Sequence, residues 1–134
     1  MAKVIALFNQ SGGAGKSTLT MNLGYHLAKR DLQVLLVDMD PQGSLTIYMG
    51  LEPAEMKQTI VDSILEDKPL AIHRQINDMD LVPANILLSE AEPRLLSALA
   101  REQRLRDTLK PILPDYDFIL LDGSFASQNG VQSM

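Results

Sequence analysis

Apolar and polar residues alternate in blocks along this chain, and each block has its own period. "KVIALF" (3–8) is an unbroken apolar run rich in branched side chains, which predicts a strand covered on both faces, as in a parallel sheet. A glycine-rich stretch follows, and then Leu19, Leu23 and Leu27 recur every four residues. That spacing predicts a helix starting near Lys16 with one apolar stripe, closed by Lys29 and Arg30, whose charges suit a helix C-terminus. "VLLVD" (34–38) is a second buried strand that stops at an aspartate. Strand, helix and strand in this order form a βαβ unit with a right-handed crossover.

The later blocks are shorter. "MKQTIVDSILED" (56–67) sets Ile60, Ile64 and Leu65 on one helical face before Pro69 ends it. "DLVPAN" (80–85) reads as a third strand closed by Pro83. Across 93–113, Leu95, Leu96, Leu99, Leu105, Leu109 and Ile112 trace a long helix with Pro93 in its first turn. "DFILLD" (117–122) is a fourth buried strand, again ending in an aspartate. The last twelve residues, "GSFASQNGVQSM", carry neither period and read as loop or disorder. The fold class is therefore α/β, a mostly parallel sheet flanked by helices. The expected organisation is a nucleotide-binding part over 1–122, apparently truncated after its last core strand, and an irregular tail over 123–134.

Composition narrows the classes. At 134 residues and 46% hydrophobic, the chain has the size of one globular domain of roughly four or five strands. No segment has the roughly 18 unbroken apolar residues of a membrane span, and the N-terminus lacks a signal-peptide cleavage pattern. With no cysteine, disulfides, thiolate metal sites and iron–sulfur clusters are excluded, and a cytoplasmic location is expected. The net charge of −5 is the wrong sign for a duplex-DNA face. "REQRLR" (101–106) is the sole basic candidate, and it reads as a solvated helix face. His26 and His73 lack partners at metal-ligand spacing, the seven methionines are scattered like core filler, and no G-x-S-x-G elbow is present.

Chemistry concentrates in "NQSGGAGKST" (9–18). A glycine-rich turn between a strand and a helix N-terminus aims several backbone N–H groups, and the positive end of the helix dipole, at one point, which suits phosphate. Gly12, Gly13 and Gly15 permit the tight turn and close backbone approach. Lys16 would reach the β- and γ-phosphates, and the Ser17 hydroxyl would sit on Mg²⁺. The bland alternative is a glycine turn with a helix-capping serine. Asp38 and Asp40 in "VDMDPQG" are expected to face the same way at a strand's carboxyl end, holding Mg²⁺ through waters and positioning the attacking water. Their bland alternative is a pair of acids capping the next helix. Asp122 after "FILL" suits a second magnesium-associated acid. The loop departs from two patterns: Gln10 stands where the common P-loop has glycine, and Ser11 stands where a variant form, K-G-G-x-G-K-[ST], has lysine.

Together, "KVIALFNQSGGAGKSTLTMNLGYHLAKR", "VLLVDMDPQGSLT", "DLVPAN" and "LPDYDFILLD" resemble the ParA/MinD-type P-loop ATPases, in order, over residues 1–122. The resemblance implies an ATP- and Mg²⁺-dependent ATPase that holds ATP or ADP and dimerises with ATP sandwiched between subunits. Its cycle would position cargo on the nucleoid, in the cytoplasm and without a membrane. A cargo-adaptor protein would stimulate hydrolysis, and a C-terminal region outside this chain would contact non-specific DNA. By position, Ser11, Gly12, Gly13, Ala14, Gly15, Lys16, Ser17 and Thr18 would bind the nucleotide. Ser17, Asp38 and Asp122 would attend the metal, and Asp40, Lys16 and Asp38 would act in catalysis, with Asp40 orienting the water. The family's lysine at the position of Ser11 reaches the partner's ATP, and serine cannot do so. That substitution resembles the cyanobacterial carboxysome-positioning branch, McdA, in which a later lysine is thought to serve.

The family continues past the second acid with Asp-x-Pro-Pro, whereas Asp122 is followed here by Gly-Ser-Phe. The first strand is expected to lie bare on the side away from the Asp122 strand. The resemblance implies carboxysome positioning, with three alternatives: a plasmid or chromosome partition ATPase, a nucleotide-binding module without catalysis, and a dethiobiotin-synthetase-like metabolic enzyme. "VDMDPQG" argues against the last, and the absence of cysteine excludes nitrogenase iron-protein relatives.

Overall fold

The computed structural model describes residues 2–7, 14–40, 42–66, 68–84, 98–123 and 131–133. In chain order these form β1 (Lys3–Leu7), α1 (Ala14–Ala28), β2 (Val34–Asp38), α2 (Ser44–Tyr48), α3 (Ile60–Glu66), β3 (His73–Ile76), β4 (Met79–Val82), α4 (Ala98–Leu109), β5 (Phe118–Asp122) and β6 (Val131–Ser133). The strands make one six-stranded sheet in the order β3-β4-β2-β5-β1-β6. The inner pairs β4–β2, β2–β5 and β5–β1 are parallel, and β3 and β6 close the edges antiparallel. The α/β class with a mostly parallel sheet is as the sequence predicts.

Strand alternation splits the core into two layers. Val4, Ala6, Leu35, Val37, Val82, Ile119 and Leu121 face Ile60 and Ile64 of α3 and Leu105 and Leu109 of α4. Ile5, Leu7, Val34, Leu36, Leu81 and Leu120 face the other way, toward Met21, Leu23 and Leu27 of α1 and Leu45 of α2. Continuous apolar runs are what a sheet covered on both sides requires.

The helices depart from their predicted shapes for local reasons. The leucine row of α1 holds only in part: Leu23 and Leu27 pack on the sheet, but Leu19 is 54% exposed, while Ser17, Thr20 and Gly24 are buried. Gly24 lets α1 lie close on the sheet, since a Cβ there would sit 2.7 Å from Met79 Sδ and 2.9 Å from Leu36 Cδ2. Helix α3 starts only at Ile60, where the Asp62 carboxylate accepts the Thr59 N–H at 2.8 Å, the returning half of a capping box. Helix α4 ends at Leu109 and tightens into 3₁₀ turns over Lys110–Asp115, because Pro111 and Pro114 cannot donate the N–H bonds an α-helix needs. Residues 93–97 of the expected long helix lie outside the described residues.

The strand expected over 80–85 is present as β4, whereas α2, β3, β6 and a 3₁₀ turn at Pro53–Glu55 were not predicted. Helix α2 is too short for a period. The β3–β4 hairpin turns at Asn77 and Asp78, with φ of 51° and 67°, the left-handed pair of a tight hairpin turn. The tail reading is corrected at its end: Val131–Ser133 is a strand whose Val131, Gln132 and Ser133 pair with Leu7, Ala6 and Ile5. The edge of β1 expected to be bare is therefore covered along those residues. A three-residue strand is too short to reveal an alternation, which is why its sequence reads as loop.

Candidate functional site

The parallel strands β2 and β5 end side by side, with Asp38 and Asp122 as register partners. Both aspartates are fully buried, and the carboxyl ends of parallel strands are where ligands of open α/β sheets bind. The two strand tips are closed together by Met39 N–H donating to Asp122 O at 2.7 Å. Gly123 makes that approach feasible: its φ is +148°, and a Cβ there would meet the Met39 carbonyl carbon at 2.5 Å.

Asp122 is tied to α1. Ser17 Oγ donates to Asp122 Oδ2 at 2.8 Å, and Thr20 Oγ1 donates to Oδ1 at 3.1 Å. Ser17 and Thr20 are one turn apart and therefore share a helix face. This explains the polar residues buried on α1: they face an acid. Ser17 and Asp122, each expected beside Mg²⁺, are brought together by a direct hydrogen bond that the sequence did not predict. Thr20 was not predicted, although its spacing of three from Ser17 places it on the same side.

Asp38 is tied to α2. Its Oδ2 accepts Thr46 Oγ1–H at 2.6 Å and Thr46 N–H at 2.9 Å, and its Oδ1 accepts the Asp40 N–H at 3.1 Å. Burial pushes the Asp38 carboxyl up to about 6, opposed by the Thr46 and Asp40 hydrogen bonds and aided by the negative charge of Asp122. Asp40 lies beyond the strand, half-buried, and its Oδ1 accepts the Gln42 N–H at 3.0 Å. The two acids therefore do not simply repeat each other's direction: one is anchored in the core, and the other turns into its own loop. Thr46, eight residues from Asp38, was also not predicted, and no period in the sequence marks it.

Ser11, Gly12 and Gly13 lie outside the described residues. Ala14, Gly15 and Lys16 form the first residues of α1. The helix's own first turn carries no acidic residue, which suits an anion at a helix N-terminus. Thr18 is exposed.

The donor set fits magnesium. Ser17, Asp38 and Asp122 offer hard oxygens only, and among the described residues no group of three or more His, Cys, Asp or Glu is arranged around a common point. Mg²⁺ is commonly held by one or two carboxylates together with substrate phosphates rather than by an all-protein cage. Among the described residues, no helix is long and apolar enough to cross a membrane.

A mostly parallel sheet whose first strand is followed by a helix bonded to one of two strand-end acids is the architecture of a P-loop nucleotide-binding domain. Comparison with known proteins agrees: the AAA domain family matches residues 2–129, and the chain belongs to that family, as a P-loop ATPase of the ParA/MinD type. It is 38% identical over 125 residues to the chromosome partitioning protein ParA of Myxococcus xanthus, covering 91% of this chain and 44% of that protein. It superposes with a TM-score of 0.86, at 35% identity, on cobyrinic acid a,c-diamide synthase of Mycobacterium smegmatis, crystallised with an ATP analogue and magnesium, covering 94% of this chain and 52% of that one. Against an ATP complex of Cyanothece McdA the TM-score is 0.78 at 28% identity, covering 90% and 47%. The chain thus spans about half the length of the relatives it matches.

Proposed function

We propose that this chain is the nucleotide-binding part of a ParA-type, Mg²⁺-dependent ATPase that distributes a cargo over the nucleoid through an ATP-linked dimer. The observation that carries this reading is the pair of buried hydrogen bonds from Ser17 and Thr20 to Asp122. They fix the first turns of α1 against the second acid, with Asp38 in register beside it. ATP and ADP would sit at the N-terminus of α1, held by Ser11, Gly12, Gly13, Ala14, Gly15, Lys16, Ser17 and Thr18. Bound Mg²⁺ would supply neutralisation of phosphate charge, with the Ser17 hydroxyl, Asp38 and Asp122 around it. Lys16 would reach the terminal phosphates, and Asp40, on the loop beyond β2, would orient the attacking water.

The chromosome partitioning relative supports DNA as the cargo, at 38% identity against 28% for Cyanothece McdA. Ser11, in place of the signature lysine, supports the narrower reading of carboxysome positioning. In either case the partners are a second copy of the chain across the ATP, an adaptor that stimulates hydrolysis, and non-specific DNA contacted by a region outside these residues.

Asp40→Ala tests the catalytic assignment. Nucleotide affinity is expected to stay within about threefold while Mg²⁺-dependent turnover falls at least about 100-fold. Normal turnover in that variant removes Asp40 from the chemistry. Sedimentation of the unaltered chain with and without ATP decides the broader question. Neither turnover nor an ATP-linked dimer would make it a non-catalytic nucleotide-binding module.

A further inference from the structure

Helix α2 has only five residues, yet it holds one of the most fully bonded groups of the site. Thr46 is buried and makes three hydrogen bonds. Its hydroxyl donates to Asp38 Oδ2 at 2.6 Å, its N–H donates to the same oxygen at 2.9 Å, and its hydroxyl accepts the Ala84 N–H at 3.0 Å. A hydroxyl has one proton, and with Ala84 donating to the oxygen that proton goes to Asp38. The 2.6 Å separation is in the range of a charge-assisted O–H···O⁻ bond.

The same contacts close a loop. From Asp38 at the end of β2, the chain passes Asp40 and returns through Gly43, whose N–H donates to Asp40 O at 2.9 Å, to Thr46 back on Asp38. Gly43 makes the return with φ +67°, and a Cβ there would strike Pro53 Cγ at 2.6 Å. Asp40 thus rides on a loop staked at one end by a strand and at the other by the Thr46 side chain. Ala84, at the start of the chain beyond β4, is pinned to the same hydroxyl.

We propose that Thr46 is a positioning residue for the nucleotide site: it sets the direction of the Asp38 carboxylate and, by closing the 38–46 loop, the place of Asp40. Through Ala84 it ties both to the segment that follows β4. The proposal rests on the reading of Asp38 as a magnesium-associated acid. Two donors from one residue on Oδ2 remove the carboxylate's freedom to rotate, which leaves Oδ1 turned toward the loop that bears Asp40. Outer hydrogen bonds of this kind tune the ligands they orient, and their loss typically costs 10–100-fold in metal affinity or activity.

Three variants of the full chain, loaded with ADP so that no turnover intervenes, test it by Mg²⁺ titration in a calorimeter. Thr46→Val keeps the shape and removes the hydroxyl, and its Mg²⁺ affinity is expected to fall about 10-fold or more. ADP binding in EDTA should stay within about twofold. Thr46→Ser keeps the hydroxyl and is expected to hold Mg²⁺ within about threefold of the unaltered protein. A valine variant that binds Mg²⁺ normally, or a serine variant as weak as the valine one, overturns the proposal. Asp38→Asn separates the two layers of the argument. If it binds Mg²⁺ normally, the reading of Asp38 falls and this proposal falls with it. If it is impaired while Thr46→Val is not, only the role of Thr46 is wrong. Should Thr46→Val not fold, amide exchange in the unaltered protein decides. Mg²⁺ added to the ADP complex is expected to change protection of the Thr46 and Ala84 amides about 10-fold, and unchanged protection overturns the coupling.

Discussion

Two aspartates end adjacent parallel strands in the same register, both buried, and both accept hydrogen bonds from hydroxyls. Their ties nevertheless reach in opposite directions along the chain. Asp122 is bound to α1 across 105 and 102 residues of sequence, so it joins the helix that follows the glycine-rich loop to the centre of the sheet. Asp38 is bound to Thr46 across eight residues, so it shapes a loop. The first connection is distant in sequence, and the second is a clasp local in sequence, although its Thr46 hydroxyl also accepts the Ala84 N–H across 38 residues. One site thus combines a rigid half, tied across the fold, with a clasp closed over eight residues.

Removing each acid should expose that difference. Asp122→Ala removes the acceptor of the Ser17 and Thr20 hydroxyls, and a hydrogen bond to a charged group contributes about 1.5–3 kcal/mol. A loss of about 3 kcal/mol of unfolding free energy is expected, with Mg²⁺–nucleotide affinity down about 100-fold. Asp38→Ala also takes the acceptor from the Thr46 hydroxyl, the Thr46 N–H and the Asp40 N–H, but it removes a carboxylate whose burial opposes ionisation, so a smaller net loss of about 1–2 kcal/mol is expected at neutral pH. Urea unfolding of the two variants checks this, and equal losses would erase the contrast between long-range and local ties.

The clasp also predicts a pH dependence. Asp38 has its folded-state pKa raised from 3.8 to about 6, so the folded chain binds a proton more tightly than the unfolded one. The stability this proton contributes is fully present below about pH 4 and is lost as pH rises through about 6. The shift of about two units corresponds to about 3 kcal/mol. Asp38→Asn cannot ionise and should lack this component. The expected measurement, in metal-free buffer, is a gap in unfolding free energy between the unaltered chain and the variant that moves by about 2 kcal/mol from pH 4 to pH 7, in favour of the variant. A gap that stays constant across that range means the buried carboxyl is not the titrating group.

The sequence made the rigid half more legible than the clasp. "KVIALF", "VLLVD" and "FILLD" announce themselves as strands because a sheet covered on both faces tolerates no polar alternation. Asp38 and Asp122 are visible as the charges that stop them. Ser17 stood out as a candidate because the residues around it match a pattern with its own phosphate chemistry, but its hydrogen bond to Asp122 was not legible. The leucine row of α1 misled at Leu19: periodicity counts apolar residues, but this helix turns Ser17, Thr20 and Gly24 inward, beside Leu23 and Leu27, for an acid and a close approach. Thr46 could not be read at all. It sits in a five-residue helix, and its relation to Asp38 exists only once the loop between them has folded. The pairing of Val131–Ser133 with β1 is likewise a tertiary event that three residues cannot encode as a period.

Thr20 gives the finest test of the rigid half, because it holds Asp122 without belonging to the glycine-rich loop. Its hydroxyl donates at 3.1 Å, longer than the 2.8 Å of Ser17, so it should be the weaker of the two ties. Thr20→Val keeps the branched shape and deletes the donor. A buried hydrogen bond to a charged group contributes about 1.5–3 kcal/mol, and a valine of matching volume recovers part of that by burying a methyl group. The expected net loss is about 1 kcal/mol, read as a lower urea midpoint at unchanged slope. Mg²⁺–nucleotide affinity should drop less than about fivefold, since Ser17 still holds the carboxylate. A drop as large as that of Asp122→Ala would mean that Thr20, rather than Ser17, sets the position of this acid, and that the grip of α1 on the sheet lies one turn deeper than the glycine-rich loop.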